Sequence, residues 1–490
     1  MANTSSTSIF SAGTYTVNAN YVKDLNFFDL TGSKAKTQGS SSKFYHIELH
    51  TPTSPNQTQA QLYTEYGPTG KVQAREYRVF NTEAEAKKEF DKIIKSKLKK
   101  GYMEVDVAIR VVGSDIAKTI TKLVVFKNAQ DITQTPNNDP KLSTQVAALI
   151  AKLMGSTNQF VIETLKCPLG SLTNAQCDAG KLRLHEAKAI ITSQQIDKKR
   201  IEQLTNEFYS LIPHNLGSGY RGVMSELLLD SVDKIAKKEY DLDTLLDAKA
   251  LGVNLVSDST YTQYQSLQTD ISYIEPSDPL FNWCNSMIQD TRASNHSHLG
   301  KIVLLNAYKI NRAGEKDIFN KRTREIAKEC GQQVIPHQLK KLVADRNDVE
   351  DVDMYKNANV MPLFHGSRTE NFTGILKKGL LIRPSGVVLC GSMYGNGIYA
   401  GLSTKSINYT SIKNSYWSKG SSDSAFLFIK DCALGNQKIA TGSNQYSKKN
   451  ISPNHSVWAK GGQSGVINDE FILYDTNQHN LRYLLEFTCK

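Results

Sequence analysis

The stretch Leu363-Phe364-His365-Gly366-Ser367-Arg368-Thr369 is the most informative part of the chain, because two further literal blocks follow it in order. The second block combines Gly395-Asn396-Gly397-Ile398-Tyr399 with Lys405-Ser406-Ile407-Asn408-Tyr409, and the third is Asn468-Asp469-Glu470-Phe471-Ile472-Leu473-Tyr474-Asp475. His-Gly and Gly-x-Gly pairs are common in proteins, so no block is specific alone. Three blocks of this length in one order are hard to obtain by chance, and together they form a specific signature.

Size and composition indicate several packed domains. A chain of 490 residues is too long for one hydrophobic core, because domains cluster at about 100–150 residues, so about three domains are expected. No segment approaches the ~20 consecutive apolar residues that span a membrane. The start, Met1-Ala2-Asn3-Thr4-Ser5-Ser6, has neither a basic nor an apolar stretch, so no secretory signal is expected. These features predict a soluble intracellular protein without membrane contact.

The cysteines and the net charge indicate which ligands and partners the protein has. The seven cysteines are scattered and form no Cys-x-x-Cys pair, so a zinc module has no ligand set and reduced thiols are expected. The formal charge of +11 indicates an anionic partner. A dense part of this charge lies in Lys95-Ser96-Lys97-Leu98-Lys99-Lys100, although a charge run is more often only a solvated helix face.

The three blocks resemble the NAD-binding and catalytic segments of the poly(ADP-ribose) polymerase family. The resemblance implies a β-rich ADP-ribosyltransferase domain over residues 256–490, with NAD+ as the substrate and no metal. It implies that His365 binds the adenosine-side ribose and that the Gly366 backbone pairs with the nicotinamide carboxamide, an approach that a side chain would obstruct. The other residues that match the NAD-binding pattern are Ser367, Asn371, Tyr399, Ser406 and Tyr409.

Glu470 matches the family's catalytic glutamate, and His365 and Tyr399 complete the implied catalytic set. Transfer of ADP-ribose passes through a transition state with oxocarbenium character, as in glycoside hydrolysis. The leaving nicotinamide is already cationic, so one carboxylate can suffice, and Glu470 would stabilise positive charge and position the acceptor. Ser406 would donate to the carboxamide, while Tyr399 and Tyr409 would enclose the pyridinium ring, whose charge favours aromatic faces.

Residues 43–127 resemble a WGR domain, a nucleic-acid-binding module named for a Trp-Gly-Arg signature. Thr82-x-x-Glu85 predicts a capping box that opens a helix in this domain. The signature itself is Tyr66-Gly67-Pro68, in which Pro68 removes a phosphate-binding guanidinium and weakens the expected DNA contact. The candidate DNA-binding residues are Tyr66, Lys71, Lys95 and Lys99.

Two polar segments flank this domain. Their composition predicts a mostly disordered arm at residues 1–42 and a linker at residues 128–140.

The spacing of apolar residues predicts helices in residues 141–255. One helix face, for example, would carry Ile201, Leu204, Phe208 and Leu211. This segment resembles the helical regulatory domain that precedes the catalytic domain in DNA-dependent members of the family. Asp243 and Asp247, spaced i,i+4, match acidic residues through which that domain contacts the NAD cleft. The alternative is that Asp243 and Asp247 are simply solvated carboxylates on a helix surface.

The sequence supports other interpretations of its motifs less well. Residues 217–222 form a literal G-x-G-x-x-G, but no strand precedes them and no βαβ alternation surrounds them, so a Rossmann unit is not expected. A hydrolase built on His365 would lack a G-x-S-x-G elbow. The charged, helix-leaning residues 315–359 are interpreted as a surface insertion.

The sequence thus predicts a multidomain α+β protein with a WGR-like α/β domain, an α-helical bundle and a β-rich catalytic domain. The resemblance implies a DNA-break-activated poly-ADP-ribosyltransferase of DNA damage signalling, which modifies itself and other protein acceptors and binds damaged DNA ends. A nuclear monomer is expected, or a cytoplasmic or nucleoid one in a prokaryotic host. Two alternatives stay open: mono-ADP-ribosylation, and a nucleic-acid-binding scaffold whose transferase domain is only structural.

Overall fold

The structure is a computed structural model, and it describes residues 3–5, 14–30, 41–69, 71–105, 114, 141–167, 169, 172–216, 224–252, 255, 258–330, 349, 351–382 and 393–490. The contacts divide the chain into two compact units, Met1–Asp131 with Gln159–Lys249 and Ile132–Asn158 with Ala250–Lys490. Helices and sheets are both present, which confirms the predicted mixed α+β class. The predicted linker at 128–140 lies outside the described residues.

The first unit contains a sheet whose described strands are β1 (Asn3–Ser5), β2 (Tyr15–Asp29), β3 (Ser41–Pro52), β4 (Ala60–Pro68), β5 (Ala74–Phe80) and β6 (Met103–Val105). They pair antiparallel in the order β1-β5-β4-β3-β2-β6. Helix α1 (Glu83–Lys99) packs its Phe90 and Ile94 against apolar residues of β3 and β4. The Thr82 hydroxyl accepts a hydrogen bond from the Glu85 amide, so the predicted start of this helix is confirmed.

Strand β2 corrects the prediction that residues 1–42 form a disordered arm. It pairs with β3 from Tyr15 to Asp29 and buries Leu25, Phe27 and Phe28. The composition concealed this strand, because the polar residues on its outward positions resemble those of an unstructured segment. Strand pairing with a distant apolar partner, rather than local composition, decides the conformation here.

The sheet face opposite α1 carries a buried polar network centred on His46. Its Nδ1 contacts Asp24 Oδ1 at 2.6 Å, and its Nε2 contacts Glu48 Oε1 at 2.7 Å. Glu48 also contacts His50 at 2.8 Å and accepts a hydrogen bond from the Ser114 hydroxyl at 2.6 Å. Burial alone would lower the pKa of His46, but the two carboxylates outweigh burial and raise this pKa to about 9. The core of the sheet therefore holds a protonated histidine at neutral pH.

The helices after this sheet are α2 (Thr144–Thr164), α3 (Asn174–Ile191), α4 (Lys198–Leu211), α5 (Met224–Leu227) and α6 (Val232–Ala250). The predicted apolar face of α4 is buried, including Ile201 and Phe208, as expected from its spacing. Strand β2 meets α4 within the first unit, where the rings of Phe28 and Tyr209 lie 4.9 Å apart. The G-x-G-x-x-G pattern at 217–222 lies outside the described residues.

The second unit is built on a sheet whose described strands are β7 (Thr269–Ile274), β8 (Ile302–Arg312), β9 (Val360–Gly366), β10 (Ile398–Gly401), β11 (Ala425–Ala433), β12 (Gln437–Ile439), β13 (Ser456–Ala459), β14 (Glu470–Leu473) and β15 (His479–Cys489). Their order is β12-β13-β14-β10-β9-β11-β15-β8-β7. The accompanying helices are α7 (Thr260–Ser266), α8 (Pro279–Asp290), α9 (Glu315–Glu329), α10 (Val352–Asn357), α11 (Phe372–Lys378), α12 (Ser403–Ile407) and α13 (Lys448–Ile451).

Helix α9 corrects the interpretation of residues 315–359 as a surface insertion. Its Phe319 and Ile326 are fully buried and pack with Val360 and Ala433 of the sheet. The helix is charged on its other positions, so its composition suggested a solvated segment, although two apolar residues seven positions apart suffice to anchor it. The described part of this segment therefore belongs to the core of the second unit.

The N-terminal part of α2 also packs in the second unit. Its Val146, Leu149 and Leu153 belong to the same buried cluster as the central strands β11 and β15. The division between the units falls inside this helix, between Asn158 and Gln159. One continuous helix thus contributes its first four turns to one core and its end to the other unit.

Candidate active site

Strands β9, β10 and β14 bring the three blocks of the signature together. Gly401 of β10 pairs with Phe364 of β9 on one side and with Glu470 of β14 on the other. Because side chains alternate between the faces of a sheet, this register places Tyr399 and Glu470 on the same face. Three distant stretches of sequence therefore lie on neighbouring strands in the interior of the sheet.

His365 is fixed in one tautomer by its hydrogen bond. Its Nδ1 lies 3.1 Å from the carbonyl oxygen of Tyr399, and a carbonyl can only accept, so Nδ1 carries the proton. Burial, assisted by the nearby Lys430, lowers the pKa of His365 to about 4. The imidazole is therefore neutral at physiological pH and presents Nε2 as a hydrogen-bond acceptor, which suits a ribose hydroxyl.

Gly366 is required by the close approach of the chain. A Cβ atom at this position would lie 1.9 Å from the carbonyl oxygen of Ser406, so only glycine fits. Ser406 is buried, and its hydroxyl donates to the Phe364 carbonyl at 3.2 Å. The Gly366 backbone thus lies against the Ser406 carbonyl, while the Ser406 hydroxyl is engaged by the Phe364 carbonyl in this structure.

Ser367 and Asn371 brace the turn that follows β9. The Asn371 Nδ2 donates to the Ser367 hydroxyl at 2.8 Å, across the short helix that precedes α11. This contact fixes the two side chains against each other in the segment that follows Gly366.

Tyr399 and Tyr409 supply aromatic surface beside Glu470. The Tyr399 hydroxyl donates to the Gly395 carbonyl at 2.9 Å and accepts from the Tyr394 amide at 2.9 Å, which fixes the ring. Burial raises the pKa of both phenols, and the charge of Glu470 raises it further. Both tyrosines are therefore neutral, and their rings rather than their hydroxyls are the groups suited to a cationic ligand.

Glu470 has a cationic partner that the sequence did not reveal. The Nζ atom of Lys405 lies 2.8 Å from Glu470 Oε1, and both side chains are largely buried. A partly buried ion pair fixes the orientation of its members. Lys405 is thus part of the site, and its place immediately before Ser406 was the only signal in the sequence.

Lys430 is a second charged residue that sequence reasoning missed. It lies in β11 with its side chain 0% exposed, and its Nζ has no hydrogen-bond partner among the described residues. Burial lowers its pKa, while Glu315 partly opposes that effect. The charge of Lys430 acts on His365 and on His479, so it belongs to the electrostatic environment of the site. A Lys-Asp pair inside a strand that is otherwise apolar was the signal available.

In the WGR-like sheet, the predicted Tyr66 is already engaged. Its ring stacks on Tyr45 with centroids 5.6 Å apart, and its hydroxyl donates to Glu76 at 2.8 Å. Lys97, which the sequence did not single out, places its Nζ 3.6 Å from the centroid of the Tyr45 ring. Burial lowers the pKa of Lys97 to about 8, with nearby lysines adding to the effect. Gly67 is required because a Cβ atom there would lie 2.3 Å from the Lys71 carbonyl oxygen.

The other predicted surface residues lie in the first unit. Lys71, Lys95 and Lys99 are exposed, so their charges are accessible to an anionic partner. Asp243 and Asp247 are partly exposed on α6, and Asp243 forms an ion pair with Lys181 at 2.9 Å. Both carboxylates thus have the exposure of residues on a helix flank.

Within the described ranges, no group of three or more His, Cys, Asp or Glu side chains could hold a metal ion. None of the helices assigned in those ranges is both long and apolar enough to cross a membrane.

Comparison with known protein families agrees with this geometry. Residues 281–489 match the poly(ADP-ribose) polymerase catalytic domain, and residues 141–271 match the poly(ADP-ribose) polymerase regulatory domain. The chain belongs to the poly(ADP-ribose) polymerase family. Residues 28–108 match the WGR domain, which confirms the third part of the resemblance. The catalytic domain of this family uses NAD+ as its substrate, in agreement with the predicted ligand.

Individual relatives are distant. Poly [ADP-ribose] polymerase 2 of Zea mays is 25% identical over 390 residues, covering 71% of this chain and 53% of the relative. Poly [ADP-ribose] polymerase 1 of Xenopus laevis is 27% identical over 363 residues, covering 67% and 32%. Poly [ADP-ribose] polymerase 2 of Homo sapiens is 23% identical over 520 residues, covering 95% and 80%. The chain thus spans about half of the maize protein and about a third of the frog protein.

Proposed function

We propose that this chain is an NAD+-dependent ADP-ribosyltransferase that builds poly(ADP-ribose) on protein acceptors, including itself. The observation that carries the proposal is that strand β10, with Tyr399, pairs directly with β9 and β14, which carry His365 and Glu470, and that His365 donates to the Tyr399 carbonyl. The presence of the glutamate favours chain elongation over single transfer, because a carboxylate can position an acceptor hydroxyl and accept its proton.

The proposed reaction follows from the side chains present. The Gly366 backbone pairs with the carboxamide of NAD+, and the Ser406 hydroxyl leaves the Phe364 carbonyl to donate to it. The rings of Tyr399 and Tyr409 face the pyridinium. The bond between nicotinamide and ribose breaks with its electron pair going to nicotinamide, which leaves as a neutral molecule. Glu470, oriented by Lys405 at 2.8 Å, stabilises the resulting positive charge on the ribose. The acceptor oxygen then attacks the ribose carbon and transfers its proton to the carboxylate.

We further propose that damaged DNA ends activate the enzyme through the WGR-like domain. Exposed Lys71, Lys95 and Lys99 would contact phosphates, and Tyr66-Gly67-Pro68 would make end recognition weaker than a Trp-Gly-Arg signature does. The helices that carry Asp243 and Asp247 would restrain the NAD site until DNA shifts the equilibrium. The proposed setting is DNA damage signalling by a monomer in the nucleus, or in the nucleoid or cytoplasm of a prokaryotic host.

The decisive experiment incubates the purified chain with labelled NAD+ and resolves the products by size on a gel. Reactions contain either no DNA or 5′-phosphorylated broken duplex DNA, and Glu470→Gln serves as the matched inactive control. The proposal expects a polymer ladder that DNA intensifies and that the variant lacks. A single added ADP-ribose would identify a mono-ADP-ribosyltransferase, and absence of NAD+ consumption would identify a scaffold, so either result would reject polymer synthesis.

A further inference from the structure

A compact loop beside the site presents two large exposed aromatic side chains. This loop, residues 411–422, is called the aromatic loop. Its Tyr416 is 63% exposed and its Trp417 is 58% exposed. The Trp417 ring nevertheless stacks on Tyr409, with centroids 6.2 Å apart and an angle of 15° between planes, while Tyr416 meets Trp417 edge-on at 4.8 Å.

The aromatic loop is closed and packed by its own groups, which makes it an ordered element. The Ser422 amide donates to the Ser411 carbonyl at 2.9 Å and closes its base. Inside, the hydroxyls of Ser415 and Ser418 lie 2.7 Å apart, and both residues are buried. Gly420 is required, because a Cβ atom there would lie 2.2 Å from the Ser411 backbone.

Two residues of the loop, Asn414 and Lys419, have a positive φ, and that of Asn414 is 64°. Lys419 adopts a φ of 47°, in the left-handed region that a side chain with a Cβ atom disfavours. Strain of this kind persists where the surrounding contacts impose it. The backbone is therefore held in one conformation that fixes where Trp417 projects.

Both NAD-binding segments anchor this loop. Asn408, which precedes Tyr409, accepts the Tyr416 amide on its side chain at 2.8 Å and the Trp417 amide on its carbonyl at 3.1 Å. From the segment after Gly366, the Arg368 guanidinium donates to the Ser418 carbonyl at 2.6 Å. The position of Trp417 is thus tied to the same residues that shape the nicotinamide end of the site.

We propose that Trp417 is a positioning residue of this site, which fixes the ring plane of Tyr409 against which the pyridinium of NAD+ packs. The inference rests on the proposed function. A tyrosine ring with one free face would sample several orientations, whereas a ring stacked on an anchored indole is already in the orientation that binding needs. The stack also extends the electron-rich surface behind Tyr409, which favours a cationic ring over a neutral one.

The test measures binding and turnover separately in four proteins: the unsubstituted chain, Trp417→Ala, Trp417→Phe and the loop control Tyr416→Ala. Calorimetry with benzamide, an uncharged analogue of the nicotinamide ring of NAD+, reports ring binding without catalysis. Steady-state kinetics report KM for NAD+ and kcat. Trp417→Ala should weaken benzamide binding and raise KM about three- to tenfold, the range of one offset ring pair, with kcat within about twofold. Trp417→Phe and Tyr416→Ala should stay within about twofold of the unsubstituted chain.

The outcomes separate this inference from the function on which it rests. Unchanged benzamide affinity and KM in Trp417→Ala would overturn the positioning role while leaving the transferase intact. Equal losses in Trp417→Ala and Tyr416→Ala would also overturn it, because the loop would then matter only as a structural element. If the unsubstituted chain binds benzamide but consumes no NAD+, the proposed function fails, and the calorimetric comparison still decides the role of Trp417. Failure to bind benzamide at all would overturn both.

Discussion

Replacing Lys430 by methionine should stabilise the second unit. The lysine side chain is 0% exposed in the buried strand β11, and its Nζ lacks a hydrogen-bond partner among the described residues. Methionine has a similar unbranched shape and no polar atom to remove from water. In the wild type, the cost of burying the Lys430 ammonium is offset only in part, by the charge of Glu315 among others.

The expected gain in the free energy of unfolding follows from the removal of one buried donor that has no hydrogen-bond partner among the described residues. Such a group costs about 1–3 kcal/mol, which Lys430→Met should recover near pH 10. The pKa of Lys430 is lowered in the folded protein, whereas a lysine in the unfolded chain titrates near 10.4. Between the unfolded and the folded pKa, the unfolded chain binds a proton that the folded chain does not. The free energy of unfolding of the wild type therefore falls by about 1.4 kcal/mol for each pH unit by which the pH is lowered. The advantage of the variant should therefore widen from pH 10 towards the folded pKa.

Urea unfolding followed by tryptophan fluorescence is the appropriate assay. Trp283, Trp417 and Trp458 are the three tryptophans of the chain and all lie in the second unit, so the signal reports that unit. The matched control is Lys309→Met, an exposed lysine of β8, which should stay within about 0.5 kcal/mol of the wild type at each pH. Equal midpoints for Lys430→Met and the wild type at pH 7, 8 and 9, or a lower midpoint for the variant, would refute the reasoning.

Four further outcomes are expected. Glu470→Gln should abolish chain elongation and leave NAD+ binding nearly unchanged by calorimetry, because the amide keeps the shape but not the charge; polymer of normal length would remove Glu470 from the mechanism. The raised pKa of His46 contributes stability that is present below pH 6.5 and is lost as pH rises through about 9, so His46→Gln should flatten this loss by about 1–3 kcal/mol in hydrogen exchange of strand β3; an unchanged pH profile would contradict it. Pro68 is exposed, so Pro68→Arg should tighten binding to broken DNA and steepen its salt dependence in a titration, and identical salt slopes would count against a phosphate contact. Deleting residues 159–249 should raise basal activity and erase the response to DNA, whereas a folded deletion variant that DNA still stimulates would show that these helices are not the gate.

The sequence predicted what depends on local chemistry. The blocks around His365, Tyr399 and Glu470 were recognisable because each role imposes its residue type, such as a glycine where a Cβ atom would strike the Ser406 carbonyl. The start at Thr82 of helix α1 followed from a capping pattern confined to four residues. Features of this kind are encoded in adjacent residues, and no knowledge of the tertiary structure is needed to infer them.

What the sequence did not predict depends on partners far along the chain. Strand β2 forms because β3 offers it a pairing edge, and the polar composition of residues 1–42 as a whole gave no sign of that edge. The roles of Lys405 and Lys97 arise from Glu470 and from the Tyr45 ring, respectively, each of which is distant in sequence. Charge alone predicts exposure for lysine, so a lysine held by a buried or aromatic partner is missed by composition and periodicity.

Helix α2 determines how the proposed regulation can be tested. A deletion drawn at the sequence boundaries, residues 141–255, would remove Val146, Leu149 and Leu153 from the buried core of the second unit. Losing one large apolar side chain from a core costs about 2–5 kcal/mol, so losing three approaches or exceeds the 5–15 kcal/mol that stabilises a typical domain. Such a protein would be inactive because it is unfolded, whatever the helices normally do. A deletion that starts at Gln159 keeps these residues, so only its activity bears on whether the helices restrain the catalytic site.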